Sequence, residues 1–305
     1  MVLPAKSSSA SLLFTGAPAL FVILWSTGFI GAKMGLPYAE PATFLAIRFL
    51  LVAIILGALC WWSDALWPKD WRNVGHILVV GLLVHGIYLG GIYAGISRGV
   101  TAGDSALIVG MQPILTAILI GPMLAESVRM RQWAGFVLGT LGLGLVSSRY
   151  FGGSSSSVSG VAFCIVGVVG MSIGTLYQKR FCSKMDLLSG SFLQFLSATI
   201  MMILIALTFE TRQVHWTGEF VFALGWLVLV LSLGAMTVLW LLVRTKGATQ
   251  VASLFFLVPP VTALIAWPLF GETLTLKSVS GMALVVLGIL LVRQQQDDRV
   301  SELAK

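Results

Sequence analysis

Charged residues interrupt this chain at wide intervals, and the apolar stretches between them are about as long as a membrane is thick. Runs free of Asp, Glu, Lys and Arg cover 7–32, 49–63, 73–97, 105–125, 132–148, 150–178, 187–209, 220–243, 247–271 and 278–292. A helix needs about 20 mostly apolar residues to cross a bilayer, with roughly 17–25 tolerated. The pattern therefore predicts an all-α membrane protein with ten transmembrane helices. Two runs, 49–63 and 278–292, are short as they stand. The first reaches full length from near Pro41 if Arg48 faces protein or water. The second reaches it from near Thr275 if Lys277 snorkels to the interface. The runs are continuous and do not alternate, which excludes a transmembrane barrel. A single lysine, Lys6, precedes the first run, and no small-residue cleavage site closes it, so it is expected to be a retained helix. No soluble domain is expected on the short tails.

Composition agrees with the pattern. Of 305 residues, 57% are hydrophobic and 10% are charged, against roughly 25% charged in an ordinary soluble domain. That is too little charge to hydrate the surface of a soluble enzyme or a nucleic-acid-binding domain. The net charge of +7 is explained by loop placement. With ten spans, thirteen Lys and Arg fall on the side of the termini, and six fall on the other side: Lys33, Arg48, Arg98, Arg149, Arg212 and Lys277. Basic loops stay in the cytoplasm, so both termini are expected there, in a bacterial inner membrane. No nucleic-acid partner is needed to account for the charge. Cys60, Cys164 and Cys182 are an odd number without motif spacing, and they predict neither a disulfide framework nor a zinc site.

The two halves of the sequence resemble each other. Residues 111–146 laid over 257–292 share 11 identities in 36 ungapped positions. These include Pro113 on Pro259, Pro122 on Pro268, Glu126 on Glu272, Gly135 on Gly281 and Gly142 on Gly288. Five spans per half is an odd number, so the second half would enter the membrane upside down. Inverted repeats of this kind are a design of secondary transporters, with the substrate near the midplane between the halves. The polar segment Phe151–Ser159 reads as the flexible connection between them.

The motifs in these repeats resemble the drug/metabolite transporter superfamily, and within it the EamA-type exporters of two five-helix repeats. Leu24-Trp25-Ser26-Thr27-Gly28-Phe29 is similar to that family's opening motif. Pro122-Met123-Leu124-Ala125-Glu126-Ser127 and Pro268-Leu269-Phe270-Gly271-Glu272-Thr273 resemble its proline–glutamate signature, present twice. The resemblance implies repeats over 11–150 and 157–293, and export of amino acids, related metabolites or drugs. One departure stands out: the sixth span has no tryptophan opposite Trp25, and Gly167 lies near that position.

Polar and aromatic residues inside the spans are the candidate substrate contacts: Trp25, His85, Tyr88, Tyr93, Gln112 and Trp240. Trp25, Phe29 and Lys33 share one helical face, and His85 and Tyr88 are three residues apart. A buried glutamine must find hydrogen bonds, so Gln112 should face protein or a cavity. Pro113, Pro259 and Pro260 fall inside the fourth and ninth spans. They are expected to bend those helices into gates, because proline removes a backbone donor. Glu126 and Glu272, at span junctions, are expected to cap the next helix, where carboxylates are favoured. Gly-x-x-x-Gly pairs, such as Gly86/Gly90, Gly91/Gly95, Gly135/Gly139 and Gly170/Gly174, predict close helix packing.

No acidic residue lies in the first or sixth span, which disfavours a dedicated pump for organic cations. The sequence holds no zinc-protease motif, nucleotide-binding loop or nucleophile with a neighbouring base. The expected partners are a small-molecule substrate and the lipid bilayer, with no cofactor, metal or nucleotide, and a monomer satisfies the pattern. The sequence thus predicts a non-enzymatic secondary transporter exporting small neutral or zwitterionic metabolites, above all amino acids, by alternating access. Uptake or exchange of a sugar or nucleotide-sugar is the alternative within transport, and an intramembrane enzyme or sensor is the alternative outside it.

Overall fold

The computed structural model describes residues 8–100, 102–125, 128–147, 158–246, 248–270 and 276–303. Their regular structure is helical, with one isolated antiparallel bridge between Ala39 and Val214. Helices α1 (Ser8–Gly35) and α2 (Pro41–Trp62) come first. A third segment follows, made of α3 (Trp71–Gly81), a π-helical stretch (Leu82–Ile87) and α4 (Tyr88–Ser97). Helices α5 (Ala102–Val109), α6 (Gln112–Leu124) and α7 (Met130–Ser147) complete the first half. The second half holds α8 (Val158–Phe181) and α9 (Leu187–Phe209). Next are α10 (Gly218–Trp226), a second π-helical stretch (Leu227–Ala235) and α11 (Met236–Lys246). The half ends with α12 (Ala248–Leu254), a 3₁₀ turn (Phe255–Leu257), α13 (Val258–Phe270) and α14 (Leu276–Leu303).

A shift of 146 residues maps one half onto the other. It carries Gly35 onto Phe181, Pro41 onto Leu187, Ala102 onto Ala248, Gln112 onto Val258, Leu124 onto Phe270 and Met130 onto Leu276, each the matching helix end. The irregular parts repeat as well. The first π stretch lands on 228–233, within the second, and the Gly110–Met111 turn lands within the 3₁₀ turn. Packing is reciprocal: α2 lies on its counterpart α9, and α7 lies on its counterpart α14. Helix α8 packs on the α3–α4 segment just as α1 packs on the α10–α11 segment.

Among the described residues, six segments are long and apolar enough to cross a bilayer: Gly16–Gly35, Pro41–Trp62, Trp71–Ser97, Val158–Phe181, Leu187–Phe209 and Gly218–Lys246. The fourth and ninth apolar runs are not the continuous bent helices expected from the sequence. The fourth is broken by a turn at Gly110–Met111, and the ninth tightens to a 3₁₀ turn at Phe255–Leu257. Pro113 lies in the first turn of α6, and Pro259 and Pro260 lie in the first turn of α13. At those positions a helix has no partner for its N–H groups, so proline costs nothing there. Glu126 and Glu272 lie outside the described residues, as does most of the connection between the halves.

Glycine sets the closest helix approaches. A methyl group built on Gly135 would lie 2.6 Å from the carbonyl oxygen of Gly288, and one on Gly288 would lie 2.6 Å from that of Gly135. On α4, Gly91 faces the backbone of Phe163 and Gly167 in α8. In lipid, where no hydrophobic force draws helices together, such backbone approach supplies the packing.

Candidate substrate-binding site

Trp25, Gly28, Phe29 and Ala32 occupy one face of α1 at helical spacing and form one wall of a central cavity. Arg48 of α2, Tyr88, Leu89, Ile92 and Tyr93 of α4, and Leu231 and Met236 of the α10–α11 segment complete its lining. The free volume is about 40 Å³, room for a few waters.

Its polar centre is Arg48, 4% exposed within an otherwise apolar helix. The guanidinium is held by two neutral oxygens. Nε donates to Ser232 Oγ at 3.0 Å, and Nη1 donates to Tyr93 OH at 3.0 Å. These bonds tie α2 to α4 and to the π stretch of the second half. Among the described residues, no carboxylate is paired with Arg48. Aromatic rings build the rest. Trp25 stacks on Tyr88 with centroids 6.3 Å apart and meets Phe255 edge-on at 5.3 Å. Phe44 packs against Tyr93 at 5.6 Å. Ser26, beside Trp25, reaches Val258 O at 3.2 Å, which links α1 to the broken helix of the second half.

Of the residues singled out in the sequence, Trp25, Tyr88 and Tyr93 meet at this cavity. His85, Gln112 and Trp240 do not line it. His85 is fully buried with its ring stacked on Phe195 at 4.0 Å and edge-on to Phe49 at 5.9 Å. Both its ring nitrogens are without a hydrogen-bond partner among the described residues. The same is true of both side-chain amide atoms of Gln112, against the expectation of satisfied bonds, and of Trp240 Nε1. Lys33, expected on the Trp25 face, is exposed. Ser232, Leu231 and Met236 carry no signal in the sequence, because the π stretch sets which way they point. Arg48 did carry one: it is a lone charge inside an apolar run. It sits two turns into α2, not at the interface.

Hydrogen bonds between the halves flank the central region. At one end Glu210 accepts from Ala42 N, Thr43 N and Thr43 Oγ1, each at 2.7 Å, and so caps α2 from across the molecule. Glu40 returns the arrangement, accepting from Thr211 N and Thr211 Oγ1 at 2.7 Å and from Arg212 N at 3.0 Å. The Thr211 hydroxyl and those backbone N–H groups hold the Glu40 carboxyl below its ordinary value. Tyr38 OH donates to Glu219 at 2.8 Å. At the other end Arg180 donates across the halves to the carbonyl of Met123, and Arg244 donates within the second half to that of Met185. Nearby, Gln194 Nε2 donates to Gln178 Oε1 at 3.1 Å. The 146-residue shift places Gln194 where Arg48 stands in the first half.

Comparison with known proteins agrees with this architecture. The EamA-like transporter family matches residues 12–148 and again 158–294. The chain is 29% identical over 94% of its length to the uncharacterized transporter YvbV of Bacillus subtilis, covering 92% of that protein. It is 23% identical to the uncharacterized inner membrane transporter YedA of Escherichia coli strain K12, covering 92% of this chain and 90% of that one. A probable amino-acid metabolite efflux pump of Salmonella typhimurium is 24% identical, with 89% and 92% covered. A solved protein crystal structure shares the fold, with a TM-score of 0.74 at 18% identity over 94% of this chain and 97% of that one. Matched twice, over nearly its whole length, the chain belongs to the EamA-like transporter family.

Proposed function

We propose that this transporter exports small neutral or zwitterionic metabolites, foremost amino acids, from the cytoplasm by alternating access. The observation that carries the reading is the aromatic cavity around Arg48, which is lined by both halves and flanked by hydrogen bonds between them. A site between two repeats can be exposed to one side and then to the other as the halves move. In this reading the chain crosses the membrane ten times, the halves are inverted repeats, and both termini are cytoplasmic, supported by a loop charge balance of thirteen to five once Arg48 is placed inside α2. The relative named as an amino-acid metabolite efflux pump supports the cargo class. The protein acts as a carrier, not as an enzyme.

Counterflow of radiolabelled amino acids into proteoliposomes tests this. Purified protein should accumulate at least one amino acid above protein-free vesicles, and Trp25→Ala should reduce that uptake at least about tenfold by removing a cavity wall. An amino-acid panel with no counterflow would overturn the reading.

A further inference from the structure

We infer that Arg48 is the carboxylate receptor of the central cavity, so that the transporter selects solutes by a carboxylate group. The inference rests on the export reading above and narrows its cargo.

A guanidinium presents five N–H donors in a planar fork. Two are engaged here, by Ser232 Oγ and Tyr93 OH. The Nη2 group and the second N–H of Nη1 have no partner among the described residues, and Arg48 lines the cavity. The engaged bonds hold the side chain in place and leave three N–H donors of the fork on its Nη groups. Two parallel N–H···O bonds from such a fork match a carboxylate.

Electrostatics point the same way. A charge buried in a membrane protein is costly and is ordinarily paired. Arg48 is 4% exposed, and its partners are neutral hydroxyls, which orient it without neutralising it. An arriving carboxylate would supply the missing countercharge. An organic cation would meet repulsion. The surrounding rings of Trp25, Phe29 and Tyr88 offer apolar surface to whatever chain the carboxylate carries. A phosphate-bearing solute carries more negative charge than one guanidinium offsets, and Lys33 is exposed rather than beside Arg48.

The test uses the full chain with matched ligand pairs. Amino, hydroxy and keto acids are compared with their carboxamides, by equilibrium binding in detergent and by counterflow in proteoliposomes. Wild type should bind at least one acid more tightly than its carboxamide. Arg48→Gln should lose at least about 30-fold in affinity for that acid and leave the carboxamide unchanged, which abolishes the preference. Because Arg48 joins three helical segments, Tyr93→Phe and Ser232→Ala serve as a second pair. Each removes one anchor and keeps the charge, so the acid preference should survive with weaker affinity. A wild-type protein without acid preference, an Arg48→Gln protein that keeps it, or tighter binding of inorganic phosphate than of every acid would each overturn the proposal. Acid-selective binding without counterflow would overturn the export reading and uphold this one. Counterflow of amides or amines without acid preference would do the reverse.

Discussion

Gly90 and Gly91 are neighbours in α4 with different surroundings, which makes them a controlled pair. A methyl group on Gly91 would lie 2.5 Å from the carbonyl oxygen of Phe163 and 3.0 Å from both Cα and N of Gly167. Those atoms are backbone of α8 and cannot turn aside. A methyl group on Gly90 meets the terminal carbon of Met202 at 3.2 Å and its sulfur at 3.8 Å, the far end of a flexible side chain. Both substitutions carry the same helix-propensity change of about 1 kcal/mol, so it cancels in the comparison. Real Cβ contacts essentially never fall under 3.0 Å, so Gly91→Ala forces α4 and α8 apart by roughly half an ångström. The same face has little slack, since a methyl group on Gly95 would lie 2.3 Å from Cys164 Sγ. Overpacking of this kind costs about 1–3 kcal/mol. At roughly 2–4 °C per kcal/mol for a chain of this size, Gly91→Ala should melt about 2–12 °C below Gly90→Ala. Thermal unfolding in detergent, followed by a thiol-reactive dye on the buried cysteines, measures it. Two variants melting within a degree of each other would refute backbone contact at this seam.

The reciprocal caps give a second prediction. Glu210→Gln removes the charge from the cap on α2 and should cost about 1 kcal/mol, read as a lower melting temperature that Glu219→Gln does not reproduce. The cap from Glu40 should respond to pH. Its folded-state value lies below the ordinary 4.5, so its stabilisation is complete above about pH 4.5 and is lost as pH falls through the lowered value. Hydrogen exchange at Thr211 and Arg212, corrected for intrinsic rates, should accelerate only in that acidic window, and unchanged protection there would disprove it. Orientation is tested by cysteine labelling. An impermeant thiol reagent outside intact cells should modify a cysteine at Arg212 and spare one at Lys184, and the opposite result would invert the topology. His85, seated between aromatic rings away from the cavity, is expected to be structural. His85→Gln should keep whatever response to a pH gradient wild type shows, and its loss would make His85 a proton carrier.

The helices and the repeat were legible because both depend on features a linear chain displays: length of apolar run, spacing of prolines and glycines, and placement of charge. Trp25 could be found because α1 is regular around it, and its face follows from a period of 3.6 residues. His85 and Tyr88 show where that reasoning fails. Three residues apart, they would share a face of an α-helix, but His85 lies in the π stretch that ends just before Tyr88. The wider turn sends His85 toward Phe195 and Tyr88 toward Trp25. Nothing in the apolar composition of Leu82–Ile87 or Leu227–Ala235 marks a change of helix type. Pro113 and Pro259 marked the right places in the fourth and ninth runs, but could not say whether the helix bends or stops. Gln112 was read from the rule that buried polar atoms are satisfied, and its amide has no partner among the described residues.

The two π stretches hold something a regular helix lacks: one residue more than the turn requires, at equivalent depths in each half. In an α-helix one residue corresponds to about 100° of rotation. If that surplus shifts along the helix by a turn, the residues it passes rotate by this amount while the helix axis stays where it is. In the second half, those residues include Ser232, which holds Arg48. The central arginine can then be released by a change of winding, without breaking the glycine-packed seams that hold the helices in place. A structure opened to one side should show Ser232 turned off Arg48 with the bulge displaced, and an unchanged bulge there would argue that the walls part by rigid tilting.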